Sequence, residues 1–307
     1  MSNPRVLVVD DESARFPWEL MQDRWSHDGK PLAVAAGMLR QLKVQEQGDN
    51  AVHSMDMAAL VIGDPDLGGG ERDAGDRTAL EQLPGARAEA ETVVATFSAQ
   101  GFNTRSVIGG SSSEILTALH ADGYRVLHLA GHGVHNYLLP ADEASNEVCE
   151  SCEQPLPATP KRVSGMVIGN NRFLTPGDVR QMRVVPELVF VNCCHLGRTQ
   201  SRLRMNELAA NLGVQFIRMG VRAVIAAGWA VDDAAAKRFA KVFYQAMFDG
   251  LTFGDAVRDA RAAVWERHRG SNTWGAYQCY GDPGFRLRAG GDRRVSGPPV
   301  SLRRNSP

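Results

Sequence analysis

Short apolar runs alternate with stretches of helical periodicity along most of the chain. Two stretches, about Pro84–Gln100 and one from about Asp232, place apolar residues on one helix face. Nearly continuous apolar strands between helices predict a mostly parallel α/β sheet covered on both faces, with ligands bound outside the carboxyl ends of its strands. The predicted strands lie within Ala58–Pro65, Tyr124–Gly133, Glu187–Cys194, Val221–Val231 and Ala276–Gly281.

Polar segments interrupt this pattern. Asp66–Arg77 is Gly-rich and charged, Ala141–Arg162 contains three prolines, and Ala289–Pro307 consists largely of Gly, Pro, Ser and Arg. Such compositions are typical of loops, and no repeat of solenoid length is present. We expect one domain over residues 1–288, with an inserted loop at about 138–172, followed by a flexible tail over 289–307.

The charge balance and the N-terminus limit the classes of partner. Lys and Arg number 34 and Asp and Glu number 35, so no overall field attracts nucleic acid or an anionic membrane. The N-terminus lacks a secretory signal, and the longest apolar window is too short to cross a membrane. We therefore expect a cytoplasmic protein. An odd number of cysteines, five, favours reduced thiols over a disulfide framework.

The start of the chain is similar to a phosphoacceptor receiver domain. Val6–Ser13 ends in paired acids, which hold Mg²⁺ in receivers. A receiver also needs an Asp that ends a later strand, and Asp64 supplies one. However, Pro65 and the Gly-rich loop after it do not match, and no suitable Lys follows. We interpret Val6–Ser13 as a strand that ends in a turn.

Two predicted strands end in the side chains of a cysteine protease. One carries His132 followed by Gly133, and the other carries Cys193 and Cys194. A cysteine protease needs a thiolate nucleophile, a histidine that transfers its proton, and donors for the oxyanion. Gly133 would let a substrate carbonyl approach the backbone without a Cβ in the way. Because neighbours on a strand point to opposite faces, only one of the two thiols can reach such a site.

Several segments, in order, resemble the CHAT domain, a caspase-like protease family related to separase. The family pattern puts Cys194 in the nucleophile position and Cys193 in a small-residue position, and it aligns His132 with the second His of a His-x-x-x-His-Gly motif. The resemblance covers about residues 5–287. It rests on Phe16–Met21, Gly63–Leu67, Leu83–Glu91, Arg125–Gly133, Leu188–Gly197, Gly220–Ala260 and Trp274–Pro283.

This resemblance implies a caspase-like three-layer sandwich and a cysteine endopeptidase that needs no cofactor. Cys194 and His132 would form the catalytic dyad, with the N–H groups of Gly133 and Cys194 as oxyanion donors. His128 is interpreted as a core histidine, and His135 and His195 as loop or rim residues. A catalytically silent caspase-like scaffold and a zinc or thiol-redox protein remain alternatives.

The segment after the fourth predicted strand suggests a specificity pocket. Trp229, Val231 and Asp233 match a separase spacing in which the Asp meets the Arg before the cut bond, so cleavage after Arg, then Lys, is expected. One of Asp232 and Asp233 is explained equally well as a helix N-cap. Metacaspases place an acid two residues before the nucleophile, where this chain has Asn192, which we also place among the substrate-binding residues.

The inserted segment offers candidates for control. Under a basic preference, Lys161 and Arg162 are possible self-cleavage positions, although an ordinary solvated loop explains them too. The resemblance implies protein substrates and an activating protein or upstream protease, in a bacterial defence or cell-death system. Cys149 and Cys152 have the spacing of half a zinc site, but no second pair follows, and we expect no metal.

Overall fold

The computed structural model describes residues 5–21, 29–43, 51–54, 56–68, 80–139, 162–169, 171–195 and 202–287; the side chains of residues 194, 195 and 202–205 lie outside this description. The strands are β1 (Arg5–Val9), β2 (Met38–Leu42), β3 (Ala58–Gly63), β4 (Asn103–Ile108), β5 (Val126–Leu138), β6 (Arg162–Gly169), β7 (Arg172–Leu174), β8 (Leu188–His195), β9 (Ala223–Ala227) and β10 (Tyr277–Gly281). The α-helices are α1 (Leu32–Ala36), α2 (Pro84–Ala99), α3 (Ser112–Ala121), α4 (Pro176–Arg180), α5 (Arg202–Arg218), α6 (Asp233–Phe248) and α7 (Phe253–Arg267).

The described strands form one mostly parallel sheet. Its order is β1-β2-β10-β9-β8-β5-β3-β4, with β6 paired to β5 and β7 paired to β6. The pairs β9–β10, β5–β6 and β6–β7 are antiparallel, and the others are parallel. This architecture confirms the predicted α/β class, although none of the five strands predicted with bounds corresponds to β2, β4, β6 or β7.

Helices cover both faces of the sheet. Phe97 of α2, Phe239 of α6 and Phe253 of α7 belong to the core on one face. On the other face the core includes Ile115 of α3 and Phe216 of α5. Strand β8 is apolar throughout its first half because alternate residues enter alternate cores. The predicted three-layer sandwich is therefore confirmed.

Strand β5 differs from the prediction in its length. It was expected to end at Gly133, but it continues to Leu138. The extension has a partner strand: β3 pairs with β5 only as far as Ala130, and β6 takes its place along the same side of β5 from Gly133 onward. Part of the predicted loop at 138–172 is consequently sheet. The prediction that His132 lies at a strand end is wrong.

The receiver-like start of the chain lies away from His132. β1 ends in a turn in which Ser13 donates to the Asp10 carboxylate from its hydroxyl at 2.6 Å and from its N–H at 2.8 Å, and this bonding lowers the pKa of Asp10. β1 is parallel to β2 and β10, and β10 is antiparallel to β9. β1 therefore runs antiparallel to β5, and its carboxyl end lies at the opposite end of the sheet from the carboxyl end of β5. This placement agrees with the strand-and-turn interpretation.

The segment Phe16–Met21 is fixed by a buried ion pair. Glu19 accepts from Arg40 of β2 with both side chains fully buried, and Arg40 also donates to the carbonyl of Phe16. A buried charge needs such partners to offset its desolvation. Among the described helices, none combines the length and apolarity needed to cross a membrane.

Candidate active site

Strands β5 and β8 place His132 and Cys194 side by side. The two residues are register partners on neighbouring parallel strands, so their Cα atoms are about 5 Å apart. The Cys194 side chain lies outside the described residues. Cys193 is only 3% exposed, in the core that α3 and α5 cover. Because the strand alternates, the Cys194 position belongs to the other face of the sheet.

The imidazole of His132 is held by a backbone carbonyl. Its Nε2 lies 2.7 Å from the carbonyl oxygen of Glu81. A carbonyl only accepts, so this contact assigns the proton of the neutral ring to Nε2 and leaves Nδ1 as the basic nitrogen. Nδ1 is shielded from solvent and has no hydrogen-bond partner among the described atoms. The ring thus offers an unused base.

Glu81 is a contact that sequence reasoning missed. The sequence offered no partner for the imidazole of His132, and the group that contacts it is a main-chain oxygen. Every residue type carries this oxygen, so the identity of residue 81 gave no signal.

His128 is structural, in agreement with its interpretation. Its side chain is fully buried beneath α2 and α6, with Nδ1 3.0 Å from the hydroxyl of Tyr244 and Nε2 3.3 Å from Glu89, the latter contact outside hydrogen-bond geometry. Burial, reinforced by the nearby Glu89 carboxylate, raises the pKa of Tyr244 well above its ordinary value. The hydroxyl therefore stays protonated and is assigned as the donor to Nδ1.

Asn192 is bonded to a buried acid. It is 5% exposed, and its amide donates to the Glu89 carboxylate at 2.5 Å. Glu89 belongs to α2 and is itself buried. A carboxylate thus lies beside residue 192, the position at which metacaspases carry an acid. Contact between Asn192 and a substrate stays a prediction.

The structure gives Gly133 a packing role. A Cβ on Gly133 would lie 2.8 Å from the Cβ of Cys193 and 3.0 Å from Leu208, so any other side chain would force these neighbours apart. This crowding is on the α5 side of the sheet. The absence of a side chain therefore has a structural cause, and the oxyanion role of Gly133 stays a prediction.

The two acids at the start of α6 have separate environments. Asp232 is the N-cap, since its carboxylate accepts from Ala235 N–H at 2.9 Å. Asp233 is exposed, and its carboxylate lies against Gly85, where an added Cβ would be 2.1 Å from the Asp233 Cγ. Glu81 lies just before α2 and Gly85 is in its first turn, so His132 and Asp233 contact neighbouring parts of the chain at the start of this helix. Asp233 is the acid left available to a ligand.

Replacing Asp232 with alanine should lower stability without changing substrate choice. The variant loses the side-chain acceptor at the start of α6, which typically costs about 1 kcal/mol. Thermal unfolding of wild type and Asp232→Ala checks this value. Asp232→Asn is the matched control, since Asn caps as well as Asp, and it should unfold close to the wild-type temperature. Equal unfolding temperatures for wild type and Asp232→Ala would contradict the capping assignment.

Trp229 precedes these acids in the chain and is held by its own neighbours. It is 8% exposed, packs with Val231 and Ala276, and donates from Nε1 to Asn272 at 3.1 Å. This bond fixes the orientation of the indole ring. Trp229 is therefore a fixed, largely buried ring just before α6.

The remaining predicted positions are distributed as follows. Lys161, Cys149 and Cys152 lie outside the described residues. Arg162 is exposed, begins β6 opposite Leu138, and donates to the carbonyl of Asn136. Burial raises the pKa of Cys279 to about 12, which keeps that thiol protonated. Among the described side chains no cluster could hold a metal ion.

A family model of the CHAT domain matches residues 4–282. This chain belongs to the CHAT domain family. The match covers β1 to β10, so the site belongs to the CHAT domain itself. A comparison with curated protein sequences finds no match.

Two solved gingipain structures share the fold of this CHAT domain. The Arg-specific cysteine proteinase gingipain R is 13% identical with a TM-score of 0.53, over 93% of this chain and 64% of its own. The complex of the Porphyromonas gingivalis RgpB pro- and mature domains is 12% identical with a TM-score of 0.50, over 94% of this chain and 66% of its own. The Saccharomyces cerevisiae separase–securin complex is 12% identical with a TM-score of 0.47, over 91% of this chain and 16% of its own. The chain thus spans less than two thirds of the length of these proteins, and at such identity the likeness concerns the fold.

Proposed function

We propose that this CHAT domain is a cysteine endopeptidase whose dyad is Cys194 and His132. One observation carries the proposal: the two residues are register partners, and the bond from Nε2 to Glu81 leaves Nδ1 as the base on that face. The CHAT family and the caspase-like fold agree with a peptidase.

The proposed reaction has two halves. Nδ1 of His132 takes the proton of Cys194, and the sulfur attacks the peptide carbonyl while its oxygen becomes an oxyanion, for which the N–H groups of Gly133 and Cys194 are the candidate donors. The C–N bond then breaks as His132 returns the proton to the leaving amine. In the second half His132 takes a proton from water, the hydroxide attacks the thioester, and the acid product leaves as the thiol reforms.

We propose that the cleaved bond follows Arg, with Lys second. Asp232 already caps α6, so the exposed Asp233 carboxylate is available to a guanidinium, which can bind it through two parallel hydrogen bonds. Trp229 supplies an apolar surface for the aliphatic part of the Arg side chain. Gingipain R, which is described as Arg-specific, has the same fold and supports this preference.

A peptide series that differs only in the residue before the cut tests this pocket. Asp233→Asn should lower kcat/KM for the Arg peptide by about 10- to 100-fold, the worth of one charged hydrogen-bonded contact, and should change that of a neutral peptide little. Asp232→Ala is the control and should keep the Arg preference. If Asp233→Asn prefers Arg as strongly as wild type does, the pocket is elsewhere.

We further propose that the chain works in the cytoplasm, in a bacterial defence or cell-death cascade, and that an activating protein or an upstream protease switches it on. We also propose that the chain cleaves itself near the start of β6. A scissile segment must be extended and unpaired, and the bond after Arg162 lies inside the β5–β6 pair. Cleavage after Arg162 would therefore require this pairing to open, and Lys161 stays the other candidate. A purified chain that cleaves peptides fully without any partner would count against the activation requirement.

A further inference from the structure

Asp64 is a buried acid with an unusual backbone conformation, and it lies beside β5, the strand that carries His132. It follows β3 directly, is 4% exposed, and has a φ of 46°, in the left-handed region. Non-glycine residues seldom adopt this conformation, and they cluster where a site requires it. The sequence pattern singled out Asp64 for a receiver-like magnesium site, and the proposed peptidase reaction does not use it.

The Asp64 carboxylate holds the segment that leads into α2. One oxygen accepts from Leu83 N–H at 2.7 Å, and the other accepts from Arg87 at 3.2 Å. Leu83 is the N-cap position of α2, where its own apolar side chain cannot cap. Asp64 therefore supplies from β3 the acceptor that the helix start lacks, and its negative charge suits a helix N-terminus.

The next residue fixes the same segment. The carbonyl of Pro65 accepts from the Gln82 side chain at 3.2 Å, and Asp64 N–H donates to the carbonyl of Ala130 in β5 at 2.9 Å. Ala130 is two residues before His132 on the same strand. Asp64 thus joins two parts of the chain: the strand that carries the imidazole, and the turn whose Glu81 carbonyl accepts from its Nε2.

We propose that Asp64 is a positioning residue that sets the tautomer of His132 by fixing the Glu81 carbonyl. With the segment before α2 held in place, the proton stays on Nε2 and Nδ1 remains available as the base. Without the carboxylate, the Leu83 N–H loses its acceptor, the Glu81 oxygen moves, and both tautomers become populated. This role rests on the proposed peptidase function for its kinetic consequence, but the tautomer itself does not.

Two variants separate the carboxylate from the backbone geometry. Asp64→Gly removes the side chain at a position where glycine adopts a positive φ without strain, so the fold should persist. Asp64→Asn keeps an oxygen for the Leu83 N–H, tolerates the left-handed conformation, and loses only the pairing with Arg87, which is 45% exposed. NMR of isotope-labelled histidine, under mildly alkaline conditions, reports which nitrogen of His132 carries the proton.

We expect wild type and Asp64→Asn to hold the proton on Nε2, and Asp64→Gly to show a mixture. In peptide cleavage, Asp64→Gly should lower kcat by about 10- to 100-fold with KM nearly unchanged, since the substrate pocket is intact and the base is misplaced. Asp64→Asn should recover most of the lost kcat.

Asp178→Gly is the matched control, because Asp178 also accepts from a backbone N–H at a helix start, that of Thr175 at 2.7 Å, on the other face of the sheet. It should leave the tautomer and kcat unchanged. An unchanged His132 tautomer in Asp64→Gly, or an equal loss in Asp178→Gly, would overturn the proposal. If wild type cleaved no peptide, the dyad would fail, while the NMR comparison would still decide the role of Asp64.

Discussion

Cys194→Ala should abolish peptide cleavage, with kcat/KM falling by about 10⁴-fold or more. The variant lacks the sulfur that forms the thioester, and removal of a covalent nucleophile is among the largest single losses measured in proteases. The stability should change little, since the substitution removes one atom. Initial rates on an Arg peptide, with thermal unfolding alongside, measure both quantities.

Cys193→Ala is the matched control for this experiment. It deletes the same atom one residue earlier, from a side chain buried in the core beneath α5. We expect activity near that of wild type and a stability loss of about 1 kcal/mol from the lost packing. The reverse result would exchange the roles of the two thiols. Intact-mass measurement of wild type and Cys194→Ala also tests self-cleavage, since only wild type should show the cut near Lys161.

His132→Gln should lower kcat by about 10²- to 10⁴-fold, the usual contribution of general acid–base catalysis. Glutamine retains an N–H that can donate to the Glu81 carbonyl, so the turn before α2 should stay in place, but it offers no basic nitrogen. The loss should therefore appear in kcat rather than in KM. Steady-state kinetics on the Arg peptide separate the two parameters.

His135→Gln makes the same change three residues further along β5. The imidazole of His135 contacts Ser164 and Glu207, and we expect it to take no part in the reaction. Activity in this variant should be close to that of wild type. An active His132→Gln enzyme would contradict the dyad. A wild-type protein that cleaves no peptide, with or without a partner, would favour the catalytically silent scaffold instead.

Much of the fold was readable from the sequence. The apolar runs at β3 and β8 and the helical stripes of α2 and α6 were predicted within a few residues, because strands buried on both faces must be apolar throughout. β2 was missed because it contains Arg40 and Gln41, which break the apolar run. Arg40 is nevertheless buried, because Glu19 compensates its charge from a distant part of the chain.

The candidate site also contains residues that the sequence predicted and assignments that only the structure could make. The resemblance to the CHAT family singled out His132, Cys194 and Asp233 as candidates, and strand alternation added that only one of the two cysteines can face the site. Sequence could not choose between Asp232 and Asp233, because either carboxylate suits a helix start. Only the bond to Ala235 assigns the cap to Asp232.

By itself, the sequence determined the layered α/β fold, the family, and the side chains that could perform the chemistry. Burial and side-chain chemistry are properties of residue types, and they leave a periodic pattern along the chain. The tertiary structure alone decided that β5 continues past His132, that the Glu81 carbonyl contacts the imidazole, and that the Asp64 carboxylate accepts from Leu83 N–H. These features depend on backbone groups common to all residues and on contacts between distant segments, which no local pattern encodes.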